Sequence, residues 1–215
     1  MTGAYGSTFI ADVLGTPLSR LHYWDRTNLL KPSVRPAAGT GTRRLYSYED
    51  LIALEVIEEL RRYGLSLQRM RRCVVFLRRY FPTVAQPLAE LTFLTDGESI
   101  FVVAEDCDTV IDTLKAQAVL SIPLSHIMRR VAEEVARATS QVRETVTVDG
   151  KEYTVTIERD PEGGWYIAFC EEIPGCGTQG RSLDDVRGMI QDAIRQCSIV
   201  LEETLDHAEK QETAS

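Results

Sequence analysis

Two short amphipathic helices separated by an abrupt break constrain the fold of this 215-residue chain more than any other feature. Residues 8–14 predict the first helix, Gly15-Thr-Pro17 interrupts it, and residues 18–25 begin a second helix at once. Helices joined by so short a turn must cross and pack on each other, which is the geometry of a helix-turn-helix. Residues 8–82 are therefore predicted to form one small helical module.

A glycine-rich loop follows the second predicted helix. It reads Ala37-Ala-Gly-Thr-Gly-Thr-Arg-Arg44 and leads directly into Leu45-Tyr46. Glycines permit the positive backbone angles of a hairpin tip, and the two arginines stand at its base. The loop is predicted to be the wing of a winged helix-turn-helix, with its cations placed against a nucleic-acid backbone or minor groove.

The charge of the chain is divided unevenly along its length. Residues 1–81 contain 13 Lys and Arg against 7 Asp and Glu, a net of +6, and the remainder contains 11 against 25, a net of −14. An acidic protein of net charge −8 thus carries a basic module that can bind phosphates. Arginine dominates this module, and its planar fork suits phosphate oxygens and guanine edges.

Four segments of the first 82 residues resemble the MerR family of bacterial transcription regulators in order and spacing. They are Leu21-His-Tyr-Trp-Asp25, Leu29-Leu-Lys-Pro32, Arg44-Leu-Tyr-Ser-Tyr-Glu-Asp-Leu51 and Gly64-Leu-Ser-Leu67. The sequence departs from the family at His22, where arginine is usual, and at Trp24, where tyrosine is usual. The resemblance implies a winged helix-turn-helix that binds double-stranded DNA, in a dimer. Family members pair through a long coiled coil, but no sustained heptad run occurs here, so dimerisation must be arranged differently.

Eight residues are candidates for DNA contact: Ser19, Arg20, His22, Tyr23, Arg26, Arg43, Arg44 and Tyr46. The first five lie on or at the end of the second helix, and the others lie at the base of the wing. The resemblance implies that Tyr23 contacts a phosphate, and the alternative is a half-buried tyrosine. Helical spacing predicts that Leu18, Leu21 and Trp24 are buried. Six further arginines are predicted to lie on solvated helix faces instead: Arg61, Arg62, Arg71, Arg72, Arg78 and Arg79.

A second informative segment spans residues 144–203. Apolar and polar residues alternate from Tyr153 to Glu158, which predicts a strand, and Asp160-Pro-Glu-Gly-Gly164 supplies a turn. Residues 165–170 predict a second strand and residues 177–180 a third short one. Ser182 is predicted to cap the helix that follows. Its apolar stripe is Leu183, Val186, Ile190, Ile194, Cys197 and Leu201.

This ββ(β)α pattern resembles HicB-type antitoxins. The matching motifs are Gly164-Trp-Tyr-Ile-Ala-Phe, Ile173-Pro-Gly-Cys176, Thr178-Gln-Gly180, Ser182-Leu-Asp-Asp185 and Asp192-Ala-Ile194, with Val186 where the family usually has alanine. The resemblance implies a partial ribonuclease-H-like fold that oligomerises and blocks a small ribonuclease toxin. In that family a separate DNA-binding element represses the operon, and here that element would be N-terminal. The alternative is an interaction or oligomerisation domain without a toxin.

The segment between these two regions is predicted to be a small α+β module for dimerisation or effector binding. Phe93–Val103 predicts a hairpin around Asp96-Gly97, residues 108–114 a short helix, and residues 124–138 a longer helix with Ile127, Val131 and Val135 on one face. The expected organisation is therefore α+β, with a winged helix-turn-helix at 1–82, a middle segment at 83–143 and a HicB-like domain with a polar tail at 144–215.

Several classes of function find no support in the sequence. The five cysteines form no CxxC pair and are expected to be reduced, and neither a metal site nor a cofactor is predicted. The three histidines lie far apart without an adjacent nucleophile, and the paired acids Glu171-Glu172 and Asp184-Asp185 suit loops and helix starts, so no catalysis is expected. The absence of a leader or a membrane-spanning run predicts a cytoplasmic, nucleoid-associated protein.

Three hypotheses follow for the function. In the first, the chain is an oligomeric DNA-binding regulator and a HicB-like antitoxin that silences its own promoter. In the second, it is a stand-alone MerR-type regulator whose later domains bind an effector or only oligomerise. In the third and weakest, the ribonuclease-H-like domain is an enzyme acting on nucleic acid.

Overall fold

A computed structural model describes residues 3–39, 41–80, 92–95, 100–103, 120–122 and 124–212. The chain divides into two compact units, Met1–Arg137 and Ala138–Ser215. This division falls inside the middle segment expected at 83–143, so the three boundaries drawn from the sequence stay a prediction. Helices and antiparallel sheets occur together, which confirms the expected α+β class.

The first unit begins with the predicted pair of helices. Strand β1 covers Tyr5–Gly6, α1 covers Ser7–Val13 and α2 covers Leu18–Arg26. Gly15 has φ +60, a left-handed conformation that only glycine adopts at little cost, and it reverses the chain after α1. Pro17 then stands at the N-cap of α2, where its missing N–H removes no helical hydrogen bond.

The wing is a loop closed by a single β-bridge. Arg35 and Leu45 exchange two backbone hydrogen bonds of 2.9 Å, and the loop between them turns at Gly39 and Gly41, whose φ angles are +95 and +88. Strand β2, Leu45–Tyr46, also pairs with β1, so that Tyr46 stands opposite Tyr5. The sequence did not predict β1, and this strand closes the base of the wing.

Two further helices build the core of the first unit: α3 at Tyr48–Arg62 and α4 at Leu67–Tyr80. A capping box starts α3, because Ser47 Oγ accepts from the Asp50 N–H at 3.2 Å and Asp50 Oδ2 accepts from the Ser47 N–H at 2.9 Å. Most of α3 is buried, and its apolar core residues are Leu51, Ile52, Ala53, Leu54, Val56, Ile57 and Leu60. The helix is thus the central packing element of this region.

A small sheet and a helix complete the described part of the first unit. Strands β3 (Thr92–Thr95), β4 (Ile100–Val103) and β5 (Leu120–Ile122) are antiparallel in the order β4-β3-β5. The β3–β4 pairing confirms the predicted hairpin, whose tip lies outside the described residues, as does the helix expected at 108–114. Helix α5, Leu124–Ala138, has the predicted bounds and buries Ile127, Val131 and Val135. Strand β5 was not predicted.

The second unit is a four-stranded antiparallel sheet packed against one long helix. Its strands are β6 (Val142–Val148), β7 (Lys151–Arg159), β8 (Tyr166–Cys170) and β9 (Gly177–Gly180), hydrogen-bonded in chain order, and α6 covers Leu183–Glu212. Strand β6 was not predicted from the sequence. Asp149-Gly150, with φ angles of 50 and 81, joins it to β7 as a two-residue hairpin.

Helix α6 packs on one face of this sheet through its predicted stripe. Val186, Ile190 and Ile194 have no exposed surface, and they lie in one cluster with core residues of β7 and β8. Leu201 was predicted on the same stripe but is 43% exposed. The reason is length, because a helix of 30 residues extends about 45 Å, beyond strands of at most nine residues.

The start of α6 is fixed by a cap and by one close glycine. Ser182 Oγ accepts from the Asp185 N–H at 3.1 Å, which confirms the predicted cap, and the Asp185 carboxylate accepts from the Arg181 N–H at 2.8 Å. A Cβ on Gly180 would stand only 2.6 Å from the backbone nitrogen of Val186. Strand β9 can therefore approach α6 this closely only with glycine at that position.

Candidate nucleic-acid interface

The outward face of α2 presents polar and basic side chains. Ser19, Tyr23 and Arg26 are exposed, and their spacing of four and three residues places them on one side of the helix. Tyr23 is 38% exposed, whereas Leu21 and Trp24 are 1% exposed on the inner side, as predicted. Leu18 was also expected inside but is 39% exposed. One side of α2 is therefore available to a ligand.

Arg20 links α2 to the buried helix α3. Its Nη1 lies 2.7 Å from Glu58 Oε1, which also accepts from Thr16 Oγ1 at 3.1 Å, and Arg61 Nε lies 2.8 Å from Glu58 Oε2. Burial favours a higher pKa for Glu58, but hydrogen bonds from Arg20, Arg61 and Thr16 outweigh it and hold that pKa below its ordinary value. Arg20 thus fixes the position of α2 and keeps about a third of its side chain exposed.

Arg44 makes the equivalent link from the wing. Its Nε lies 2.6 Å from Asp25 Oδ2 near the end of α2, and the two side chains are 24% and 10% exposed. His22 is half-buried beside this pair, and its pKa is lowered first by burial and then by the charge of Arg44. The expected site residues His22 and Arg44 are therefore together.

Tyr46 does not lie on this surface, so its assignment to DNA contact was wrong. The side chain is 1% exposed, and burial raises its pKa to about 12. The physical reason lies in β1, whose buried Tyr5 stands beside Tyr46 in the register of the small sheet. A two-residue strand leaves too little periodicity for a sequence to reveal it.

Two of the residues expected to contact DNA lie at the edges of the outward face of α2. Arg26 ends α2 and Arg43 lies in the wing, and both side chains are exposed. The wing arginine is held through its backbone, because its carbonyl oxygen accepts from Arg35 Nε at 3.0 Å. The structure thus brings Ser19, Tyr23 and Arg26 onto one helix face, and their contact with DNA stays a prediction.

Arg71 of α4 joins this surface although it was not predicted to do so. It was assigned to a solvated face of its helix, but its Nη2 donates to Tyr23 Oη at 3.3 Å and its guanidinium carbon lies 5.7 Å from the centre of the Tyr23 ring. The two residues are 48 positions apart, so no local spacing could have related them. The only feature of the sequence that points to a contact here is the high arginine content of α4.

A second cluster of charges joins α3 to α5. Glu55, which is 3% exposed, accepts from Arg62 Nη1 at 3.3 Å and from Arg130 of α5. Burial raises the pKa of Glu55 despite the neighbouring charges of Arg130 and Arg62. A cavity of about 300 Å³ lies beside this cluster and is also lined by Asp12 and Glu134. These contacts fix the described helix of the middle segment against the helix-turn-helix.

The second unit exposes a different kind of surface, which we call the outer sheet face: the side of β6–β9 opposite α6. Register places Arg143, Thr156 and Phe169 there in one row across three strands. Phe169 is 48% exposed. Glu171 accepts from Thr156 Oγ1 at 2.8 Å and also pairs with Arg143. Residues 138–215 carry 7 basic and 16 acidic residues, a net of −9.

The cysteines of the described residues are free thiols: Cys73, Cys170, Cys176 and Cys197. Burial raises the pKa of Cys73 to about 11 and that of Cys176 to about 12, so both are protonated at neutral pH. No group of three or more His, Cys, Asp or Glu in the described part of the chain is arranged to hold a metal ion. Nor does any helix within those residues have the length and apolar character needed to cross a membrane.

Comparison with known proteins identifies the class of the first region. Residues 7–74 match the model of the MerR HTH family regulatory proteins. This part of the chain is a MerR-type helix-turn-helix domain, and the resemblance seen in the sequence is confirmed.

The relatives show how much of the chain this likeness covers. Mb1861 of Mycobacterium bovis and Rv1830 of Mycobacterium tuberculosis, both described as uncharacterized HTH-type transcriptional regulators, are each 34% identical over 133 residues, which is 61% of this chain and 57% of each relative. The chain therefore spans little more than half the length of these regulators.

The C-terminal part has relatives of its own. A UPF0150 protein of Thermotoga maritima is 37% identical over 62 residues, which is 29% of this chain and 79% of that protein. A UPF0150 protein of Archaeoglobus fulgidus is 38% identical over 42 residues, which is 20% of this chain and 59% of that protein. These matches confirm a HicB-like domain at the C-terminal end.

Proposed function

We propose that this chain is a sequence-specific DNA-binding transcriptional regulator of the MerR type. The observation that carries the proposal is the outward face of α2, where Ser19, Tyr23 and Arg26 are exposed within a domain that matches that family. In this proposal α2 is the recognition helix and enters the major groove, while Arg43 of the wing contacts the backbone. Homologues described as transcriptional regulators support the same function.

A duplex-binding titration tests this proposal. The full chain is mixed with the labelled duplex that lies upstream of its own gene, and affinity is measured from 50 to 200 mM salt. We expect log affinity to fall linearly with log salt, because phosphate contacts release counterions. Arg43→Ala should reduce the slope by about one unit without changing stability, since the side chain is exposed. A slope equal to that of the wild type would refute the wing assignment.

Arg44→Ala provides the matched comparison in the wing. Its guanidinium holds Asp25, so its loss should weaken duplex binding and also lower the stability of the first unit. Arg43→Ala should affect binding alone. Equal effects of the two substitutions on stability would contradict this division of roles.

We also propose a partner for the second unit. The HicB-like domain would bind a small ribonuclease toxin, so that the chain is an autoregulating antitoxin. The supporting observation is the outer sheet face, where exposed Phe169 stands opposite Thr156 in the register and Arg143 is paired with Glu171, in a unit of net charge −9. An RNA-cleaving protein needs a basic surface for its substrate, and an acidic unit with an exposed apolar side chain on its sheet complements such a surface.

Co-expression tests the partner. The chain is expressed with the open reading frames beside its gene, and both copurification and relief of toxicity are measured. Phe169→Ala should reduce both, whereas Ile199→Ala, a comparably exposed position on α6, should change neither. If no neighbouring product copurifies or is toxic while promoter binding persists, the chain is a stand-alone MerR-type regulator instead.

The assembly state and the place of action belong to the same proposal. A homodimer or higher oligomer would set the spacing of two half-sites on the duplex, acting in the cytoplasm at the nucleoid. Multi-angle light scattering of the free chain and of its duplex complex measures this. A monomer bound to a single half-site would contradict it.

A further inference from the structure

We propose that Arg71 of α4 and Tyr23 of α2 together form a clamp for one phosphate of the DNA backbone. The inference rests on the proposed DNA-binding function and adds a second helix to the contact surface. DNA would then be held by α4 as well as by the recognition helix and the wing. Arg71 is the new element, because Tyr23 alone was expected at a phosphate.

The geometry that supports the clamp comprises two contacts between the same side chains. Arg71 Nη2 donates to Tyr23 Oη at 3.3 Å, and the Arg71 guanidinium carbon stands 5.7 Å from the centre of the Tyr23 ring. The hydrogen bond is at the surface, and Tyr23 is 38% exposed. A cation and a hydroxyl are therefore presented side by side on the face that carries Ser19 and Arg26.

The direction of the hydrogen bond determines what this pair can bind. Because the Tyr23 oxygen accepts from Arg71, the phenolic hydrogen is free to donate outward. A donor whose oxygen already accepts from a cation is polarised and forms a stronger hydrogen bond. An anion with several acceptor oxygens suits this arrangement, and the phosphodiester is the anion that a DNA-binding face meets.

Arg71 retains donors for such a ligand. A guanidinium has five N–H groups, and Tyr23 takes one of them. The Nε of Arg71 is buried and has no hydrogen-bond partner among the described residues. The donors that remain for a ligand are therefore those of the two terminal nitrogens, apart from the one that Tyr23 accepts. Their planar fork can pair with two phosphate oxygens at once, which a lysine ammonium cannot do.

The salt dependence of duplex binding separates a phosphate contact from a structural one. The full chain and its variants are titrated with the labelled upstream duplex from 50 to 200 mM salt. For Arg71→Ala we expect the slope to fall by about 0.9, so that the loss of affinity over this range becomes about 3.5-fold smaller. The matched control is Arg72→Ala, an exposed arginine on the same helix, which should leave the slope unchanged.

Two more variants test how Arg71 and Tyr23 work together. Tyr23→Phe should weaken binding in the wild-type chain but have little further effect in Arg71→Ala, because the two donors hold one phosphate. Arg71→Lys keeps the charge, so it should preserve the slope and still lower the affinity. This variant carries the test if Arg71→Ala does not fold.

The outcomes distinguish this clamp from the proposed function. A wild-type slope in Arg71→Ala, an equal change in Arg72→Ala, or wild-type affinity in Arg71→Lys would each overturn the clamp while DNA binding stands. A folded wild-type chain that binds no duplex at any salt concentration would overturn the proposed function, and the clamp with it.

Discussion

The two units differ in how deeply the acids that hold their arginines are buried. In the first unit, acids that are nearly buried hold arginines at the surface: the side chains of Glu58 and Asp25 are 4% and 10% exposed. In the second unit, the acids of the ion pairs are more exposed: the side chain of Glu171, which pairs with Arg143, is 38% exposed, and that of Glu144, which pairs with Arg187, is 24% exposed. Buried acids fix the geometry of their partners, whereas exposed pairs contribute little to stability.

This difference relates charge to function. A surface that reads DNA must hold its cations in register with phosphates, and the acids behind α2 and the wing provide that order. A surface that meets a protein of opposite charge needs complementary potential more than fixed geometry. The buried acids of the first unit therefore preorganise the arginines Arg20 and Arg44.

The largest expected effect comes from removing the acid behind α2. Glu58→Ala should destabilise the first unit by about 3 kcal/mol, the lower end for a broken buried pair because Arg20 and Arg61 are partly exposed. Glu171→Ala, the matched change in the second unit, should cost less than about 1 kcal/mol. Urea unfolding followed separately in each unit measures both. Equal costs would remove the contrast between the units.

The next largest effect is expected in the second unit from a change of packing between β9 and α6 that leaves every charge in place. Gly180→Ala should cost about 1–3 kcal/mol, because its Cβ would meet the Val186 backbone at 2.6 Å and 2.8 Å. Gly188→Ala in α6 meets no atom within 4 Å and should stabilise the helix by up to about 1 kcal/mol. Thermal unfolding of both variants checks this. A stable Gly180→Ala protein would contradict the close approach of β9 and α6.

The smallest effect is a dependence on pH. The folded state lowers the pKa of Glu58 below its ordinary value of 4.5, so the folded protein binds fewer protons there than the unfolded chain. The stability that the Glu58 carboxylate contributes to the folded state is present above about pH 4.5 and is lost as the pH falls through the pKa of Glu58 in the folded protein. The stabilities of the wild type and Glu58→Gln should therefore converge in acid.

Glu55 supplies the control for that titration. Its pKa is raised, so the wild type should gain stability relative to Glu55→Gln as the pH falls towards 4.5. The free energies of unfolding of the wild type, Glu58→Gln and Glu55→Gln are measured in urea from pH 7 to pH 3, and each variant is compared with the wild type. A difference for Glu58→Gln that stays constant with pH would show that its carboxylate is not held by the arginines.

Local patterns in the sequence predicted much of the fold. The Gly15-Thr-Pro17 break located the helix-turn-helix, and the apolar spacing of residues 124–138 gave the bounds of α5. Ser182 marked the start of α6. Strand β6 was missed although Asp149-Gly150 is a strong hairpin signal, because the segment before it mixes charged and apolar residues.

The candidate site was less accessible to sequence reasoning. Exposure of Tyr23 and Arg26 follows from helical periodicity, but the burial of Tyr46 depends on β1, some 40 residues earlier in the chain. The pairing of Arg20 with Glu58 and of Arg71 with Tyr23 depends on how helices cross. Such contacts arise from tertiary packing, and neither composition nor spacing encodes them.

Binding to two duplexes at a series of salt concentrations is the decisive measurement for sequence-specific recognition by this chain. The full chain is titrated with its own upstream duplex and with a scrambled duplex of equal length. We expect tighter binding to the upstream duplex and, for both duplexes, an affinity that falls linearly with salt on logarithmic axes. Equal affinity for the two duplexes would contradict sequence-specific binding, and no binding to either would contradict the DNA-binding function itself.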